Sequence, residues 1–303
     1  MRIAADAKIG NFRSASGFAR FLNRYRACFA DLPTVAEQAD ITTTFGTVRV
    51  YRFAAARSAG PPVLLIPGRN GPTPVYGTNL PPLLRHRDVY CLDLLGEPGL
   101  SVQHRRIADA DDQAQWLDET LAGLGVARVH LCGISIGGWA AVNVAVRRPG
   151  RAVSLTLLDP AVTFDRIPAP MLLASVGMVV PGVPEFLRRR ILSWIAGGSD
   201  LGEAAPVAKL IDSATTDFEM RLPAPTRFSD AQLSGLDIPV LALIAGRSVV
   251  LRADKAAARA RRLLRRGQVE LWPQASHAIN GEYPEEIAAR AHRFWTEVDQ
   301  LRS

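Results

Sequence analysis

The chain has 303 residues, of which 48% are hydrophobic and 21% charged, a balance that fits a folded globular domain and excludes a disordered or collagen-like chain. Its net charge of +7 comes from arginines scattered among acidic residues, so no nucleic-acid surface is expected. The most apolar run, 171–180, stops at Pro181 and is too short to span a bilayer, and 1–32 lacks a signal-peptide-like stretch; a cytoplasmic protein with no membrane span is expected.

Taken in chain order, short apolar runs alternate with helical patterns, which predicts a mostly parallel, doubly covered sheet. Segments 41–44 and 48–53, joined through Phe45-Gly46, read as a β-hairpin. Strands follow at 62–66, stopped by Pro67-Gly68, and at 89–94, where Asp93 is expected to satisfy buried loop amides. A helix over 111–124 sets Trp116, Leu117, Leu121 and Leu124 on one face, and Gly125 ends it. A strand at 129–133 and a helix at 138–147 meet at Ser135, and a further strand at 153–158 ends in Asp159-Pro160. From 161 to 236 the alternation breaks into apolar helical stretches (171–180, 186–195, 207–211) separated by Pro and Gly. This segment is expected to be a helical lid inserted between late core strands, with 1–160 and 237–303 forming the core. The sheet resumes at 240–245, followed by a helix at 254–264, a last strand at 269–272 and a closing helix at 285–295. The arginine cluster 259–266 reads as the solvated basic face of a helix. Cys28, Cys91 and Cys132 cannot all pair and have no metal-site spacing; Cys91 and Cys132 are expected to be buried in strands, and neither metal nor cofactor is expected.

The chemistry concentrates in Gly133-Ile134-Ser135-Ile136-Gly137. A Gly-x-Ser-x-Gly turn between a buried strand and a helix forces its serine into a strained backbone, with glycines where side chains would collide. The helix that follows aims its N-terminal amides at the serine, so the Ile136 N–H is a candidate oxyanion donor. A hydroxyl needs an adjacent base to act as a nucleophile. Of the five histidines, His86, His104, His130 and His292 are expected to be solvated or locally hydrogen-bonded. His277 follows the last core strand on the edge where strand carboxyl ends gather, and comes after the serine and every candidate acid.

With these residues stated, the chain resembles the α/β-hydrolase superfamily, and within it bacterial carboxylesterases of the NP type. The runs that carry the resemblance are Thr44-Phe45-Gly46-Thr47, Val63-Leu64-Leu65-Ile66-Pro67-Gly68, Asp93-Leu94-Leu95-Gly96, Gly133-Ile134-Ser135-Ile136-Gly137-Gly138, Asp159-Pro160-Ala161-Val162-Thr163-Phe164 and Ser276-His277-Ala278. They span the chain from about Ile41 onward and weakly include a helix before it; the lid is least similar. The resemblance implies a second oxyanion amide at Arg69, or at Asn70 if the loop shifts by one residue, although Pro67-Gly68 stands where relatives carry His-Gly. It also implies an acid after the strand at 241–245, but there the chain reads Gly246-Arg247-Ser248, and serine carries no charge. Asp159, at the end of the preceding core strand, is the expected replacement. Asp254 is second, with helix N-capping the better account of it.

The expected function is that of a serine hydrolase cleaving an ester or thioester of an apolar, acyl or polyketide-like small molecule through an acyl-enzyme. Ser135 would attack, His277 relay the proton, Asp159 orient the imidazole, and the Ile136 and Arg69 amides hold the oxyanion. The apolar side chains of the lid, Met171, Leu172, Leu173, Met178, Val179, Phe186, Leu187, Ile191, Leu192 and Trp194, favour such a substrate over a sugar or charged metabolite. Two other outcomes use the same residues: an acyltransferase, lyase or cyclase that excludes water, and a silent small-molecule binder.

Overall fold

The computed structural model describes residues 9–58, 60–179, 184–195, 197 and 206–301. Strand β1 (Asn11–Phe12) and helix α1 (Ala15–Phe29) come first, and Ser14 caps α1 by accepting the Gly17 N–H at 3.0 Å. Strands β2 (Glu37–Thr43) and β3 (Gly46–Phe53) form the expected hairpin. Next come β4 (Val63–Ile66), the short helix α2 (Leu80–Leu83), β5 (Val89–Leu92), β6 (Val102–Gln103) and α3 (Ala110–Gly123). Then follow β7 (Val129–Ile134), α4 (Ile136–Arg147) and β8 (Ala152–Leu158). The inserted segment holds α5 (Ala169–Val179), α6 (Glu185–Ile195), α7 (Pro206–Asp217), β9 (Phe218–Glu219) and α8 (Asp230–Ser234). The chain closes with β10 (Val240–Ala245), α9 (Ala253–Leu263), β11 (Gly267–Trp272), α10 (Ile279–Glu282) and α11 (Pro284–Gln300). Val180 and Pro181, which end the predicted 171–180 helix, and the side chains of Met178 and Val179 lie outside the described residues.

The main sheet runs β11-β10-β8-β7-β4-β5-β3-β2, with β6 added to β3. Every pair from β11 to β5 is parallel, and β3, β2 and β6 join antiparallel. The central strands are apolar on both faces because helices cover both. In β4, Leu64 and Ile66 pack toward α3, α4 and α9, while Val63 and Leu65 pack toward α2 and α11. Cys91 and Cys132 fill the second of these layers as buried thiols. Asp93 takes the Thr73 N–H at 2.8 Å, the Leu100 N–H at 2.7 Å and the Tyr25 hydroxyl at 3.1 Å, the buried-loop role expected of it.

A third apolar cluster joins the start of the chain to the inserted segment. Phe12, Phe21 and Tyr25 pack against Leu210, Ala214 and Phe218, and β1 pairs antiparallel with β9. Arg20–Asp217 at 2.5 Å and Arg24–Asp212 at 3.3 Å border it. The basic cluster keeps its expected solvated face at Arg261, Arg262, Arg265 and Arg266, and departs from it at Arg259. Arg259 is only 9% exposed and binds the carbonyls of Thr163, Phe164 and Phe228 together with Asp230, tying α9 to the start of the insertion and to α8. Five donors in a fixed fork let one guanidinium satisfy several buried carbonyls, which no local pattern reveals. Among the described residues no helix is long and apolar enough to cross a membrane.

Phe21 is fully buried at the centre of the third cluster. Phe21→Ala is expected to cost about 3–5 kcal/mol of unfolding free energy, measured by urea denaturation, and to speed proteolysis of the α1 and α7 segments in the native protein.

Candidate active site

Strand β7 ends at Ile134 and helix α4 begins at Ile136, so Ser135 alone makes the turn, at φ 54° and ψ −117°. This is a costly backbone for a side-chain-bearing residue, and the surroundings determine it. The Ser135 N–H donates to the Leu158 carbonyl at 3.0 Å, and its carbonyl accepts Gly138 at 3.0 Å and Ala161 at 3.2 Å. The glycines permit the close approach: a Cβ on Gly137 would lie 2.1 Å from the Ile66 carbonyl oxygen, and one on Gly133 would lie 2.3 Å from that of Gly137. The expected elbow is present in full.

The edge formed by the strand carboxyl ends carries the other two residues. Asp159, directly after β8, has φ 42° and is completely buried. His277 follows β11 in a loop held by its neighbour: Ser276 donates its N–H at 2.8 Å and its hydroxyl at 2.6 Å to the Glu282 carboxylate on α10. His277 Nδ1 lies 2.6 Å from Asp159 Oδ2, and its Nε2 lies 2.9 Å from Ser135 Oγ. A carboxylate can only accept, so Nδ1 carries the proton and Nε2 is free to accept the serine hydroxyl. The structure therefore brings together Ser135, His277 and Asp159. Asp254 stands apart: it lies in the first turn of α9 behind the N-cap Arg252, and its side chain caps nothing. The N-capping expected of it is corrected to a favourable position at the positive end of the helix.

Ser248, where the resemblance implied an acid, meets Asp159 instead. The Ser248 hydroxyl donates to Asp159 Oδ2 at 2.6 Å, and the Ala245 N–H donates to Oδ1 at 3.0 Å. Serine cannot replace the charge, but it completes the solvation of a carboxylate that water does not reach.

On the other side of Ser135, the loop after β4 is pinned at two points. Gly68 N–H donates to the buried Tyr76 hydroxyl at 3.0 Å, and Asn70 N–H donates to Glu97 Oε2 at 2.9 Å with Asn70 at φ 57°. That second bond distinguishes the two candidate amides, since it takes Asn70 away. Among the described residues, neither the Arg69 nor the Ile136 N–H has a partner. Burial pushes the Glu97 carboxyl up, while the Arg69 guanidinium and the Asn70 N–H pull it back. Arg69 and Ile136 both line a narrow cavity of about 30 Å³, partly open to solvent, whose walls include Leu94, Leu95, Trp116, Trp139, Leu222 and Glu97. Sequence reasoning misses Glu97, Tyr76 and Glu282: each acts through a partner 6 to 27 positions away, and nothing local marks it. Among the described residues no group of three or more His, Cys, Asp or Glu could hold a metal ion.

Residues 63–290 match the model of the alpha/beta hydrolase family. The chain is 24% identical over 283 residues to the uncharacterized carboxylesterase nap of Bacillus subtilis, covering 91% of this chain and 92% of that one. It is 23% identical over 290 residues to the carboxylesterase YbfK of the same organism, covering 93% and 96%. The crystal structure of naproxen esterase (carboxylesterase NP) from Bacillus subtilis superposes with a TM-score of 0.85 at 22% identity, covering 93% of this chain and 99% of that one. The likeness extends over nearly the whole length of each.

Gly137 and Gly125 make a matched test of the elbow. Gly137→Ala is expected to lower stability by about 3 kcal/mol or more in urea unfolding, because its Cβ meets backbone that cannot yield. Gly125→Ala, at φ 66° but with nothing within 4 Å, is expected to cost only about 1–2 kcal/mol.

Proposed function

The chain belongs to the alpha/beta hydrolase family, and on that premise we propose that it hydrolyses a carboxylic ester of an apolar acyl group through an acyl-enzyme on Ser135. The unbroken hydrogen-bond chain from Asp159 through His277 to Ser135 carries this reading. The carboxylesterases nap and YbfK, similar over nearly their whole length, support the ester as substrate.

In this reading Ser135 Oγ attacks the ester carbonyl carbon while its proton moves to His277 Nε2. Asp159 fixes the Nδ1–H tautomer and compensates the imidazolium charge as it forms. The carbonyl oxygen becomes an oxyanion in reach of the Ile136 and Arg69 N–H groups, at the N-terminus of α4, where the helix dipole adds to the field. Collapse breaks the carbon–oxygen bond to the alcohol, which leaves with the proton from His277. Water then repeats the sequence on the acyl-enzyme, giving the acid and restoring Ser135. A thioester would follow the same course with a thiol leaving.

The cavity that Arg69 and Ile136 share is lined mainly by indole, leucine and proline side chains, beside Glu97 and Gln113, which suits an apolar acyl or aryl group next to the reacting carbonyl. The described part of the 161–236 segment is assigned as a cap over this site, since Leu222 and Pro223 form part of the cavity wall. Buried thiols at Cys28, Cys91 and Cys132 suit a reducing compartment, in keeping with a cytoplasmic protein.

A fluorophosphonate probe is expected to label the wild-type protein and not Ser135→Ala, and to label Asp159→Asn roughly 10³- to 10⁴-fold more slowly, read by intact-mass spectrometry. Failure of the wild type to label would remove the nucleophile, and normal labelling of Asp159→Asn would remove the acid. With p-nitrophenyl esters, kcat/KM is expected to rise at least about tenfold from acetate to hexanoate if the cavity takes the acyl chain.

A further inference from the structure

We propose that Ser248 is a positioning residue, whose hydroxyl holds the Asp159 carboxylate in the one orientation that meets His277. This rests on the reading of Ser135, His277 and Asp159 as the reacting group. The two oxygens of Asp159 are met from different sides. Oδ1 takes the Ala245 N–H at 3.0 Å, while Oδ2 is shared by the Ser248 hydroxyl and His277 Nδ1, each at 2.6 Å.

A serine hydroxyl is free to rotate and could point its hydrogen elsewhere. Here the Val250 N–H donates to Ser248 Oγ at 3.3 Å, which occupies a lone pair and leaves the hydrogen for Asp159. The backbone of the same turn is closed by the Ser248 N–H on the Ala245 carbonyl at 3.2 Å, so the two donors that grip the carboxylate are rigidly related. That turn also holds the histidine loop. Gly246 N–H donates to the Trp272 carbonyl at 2.8 Å, and Arg247 N–H donates to the Ala275 carbonyl at 2.9 Å. The approach depends on glycine, because a Cβ on Gly246 would lie 2.7 Å from Pro273 Cα. One turn after β10 thus sets the acid and its histidine relative to each other.

Without the Ser248 hydroxyl, a fully buried carboxylate keeps, among the described residues, only the Ala245 N–H and the histidine itself. Rotation of its plane away from Nδ1 is then opposed only by the single N–H on Oδ1 and the histidine bond itself, and the part of the charge that Ser248 met is left unsolvated. The loss falls on the step in which the imidazolium forms and not on ester binding.

The test is steady-state hydrolysis of p-nitrophenyl butyrate by the full chain. Ser248→Ala is expected to lower kcat about 10- to 100-fold, the range for losing a hydrogen bond to a charged group, with KM changed less than about twofold. Ser248→Thr, which keeps the donor, should recover most of that loss. In an Asp159→Asn background, Ser248→Ala should have almost no further effect, because Ser248 acts through Asp159. Wild-type kcat in Ser248→Ala, or full additivity of the two substitutions, overturns the proposal. Thermal unfolding verifies that each variant is folded. Should Ser248→Ala fail to fold, Ser248→Cys, a much weaker donor of similar shape, is expected to show the same kcat loss, and full activity there also overturns it. Ser135→Ala, run alongside, separates the two readings: turnover that survives it defeats the nucleophile, whereas its loss beside an active Ser248→Ala defeats only the role of Ser248.

Discussion

A carboxylate with no exposure to water must be met by donors from the chain itself, and Asp159 is such a group. Its position at the end of β8 requires an N–H from β10, a hydroxyl from the turn beyond, and an imidazole from the loop after β11. All three come from segments that meet only because β8, β10 and β11 lie side by side in parallel. The site is therefore a consequence of strand order. Shift β10 by one residue against β8, and both the Ala245 N–H and the Ser248 hydroxyl miss the acid.

The opposite half of the site is built from close backbone approach. Ser135 sits at positive φ because Gly133 and Gly137 let α4 fold back tightly onto β7 and β4. Beside it the loop after β4 is held by two buried side chains, Tyr76 and Glu97, whose polar ends each take one backbone N–H. Those bonds decide which amides are engaged and which face the cavity. Strained backbone concentrates here: Asn70, Ser135, Asp159 and Val162 are the non-glycine residues at positive φ among those described. Such geometry persists only where packing over-determines it.

Much of the fold is legible in the residues because buried parallel strands are continuous apolar runs and glycine or proline punctuates their ends. Strand β10 falls on the predicted residues, and β4, β7 and β8 differ from theirs by no more than one position at either end. The elbow is legible for a similar reason, since its glycines and serine lie within one turn. What escapes is long-range. Arg259 reads as part of a solvated face because its partners, the Thr163 and Phe228 carbonyls, are backbone atoms that sequence does not mark. Helix α1 is recognised only through the family resemblance, because its apolar face is completed by α7, nearly two hundred positions away.

The sequence alone determined a doubly covered parallel sheet, the Ser135 turn, the histidine after the last strand, and the lack of a charge at Ser248. Those features depend on neighbours within a few positions, where apolar periodicity and glycine geometry are strong. Only the tertiary structure decided that Asp159 faces His277, that the Ser248 hydroxyl meets the same carboxylate, and that Glu97 holds Asn70 and leaves the Arg69 amide unpaired among the described residues. A hydrogen bond is won or lost within about half an ångström. Its partners come from separate elements, so only the packed sheet and its loops set the distance.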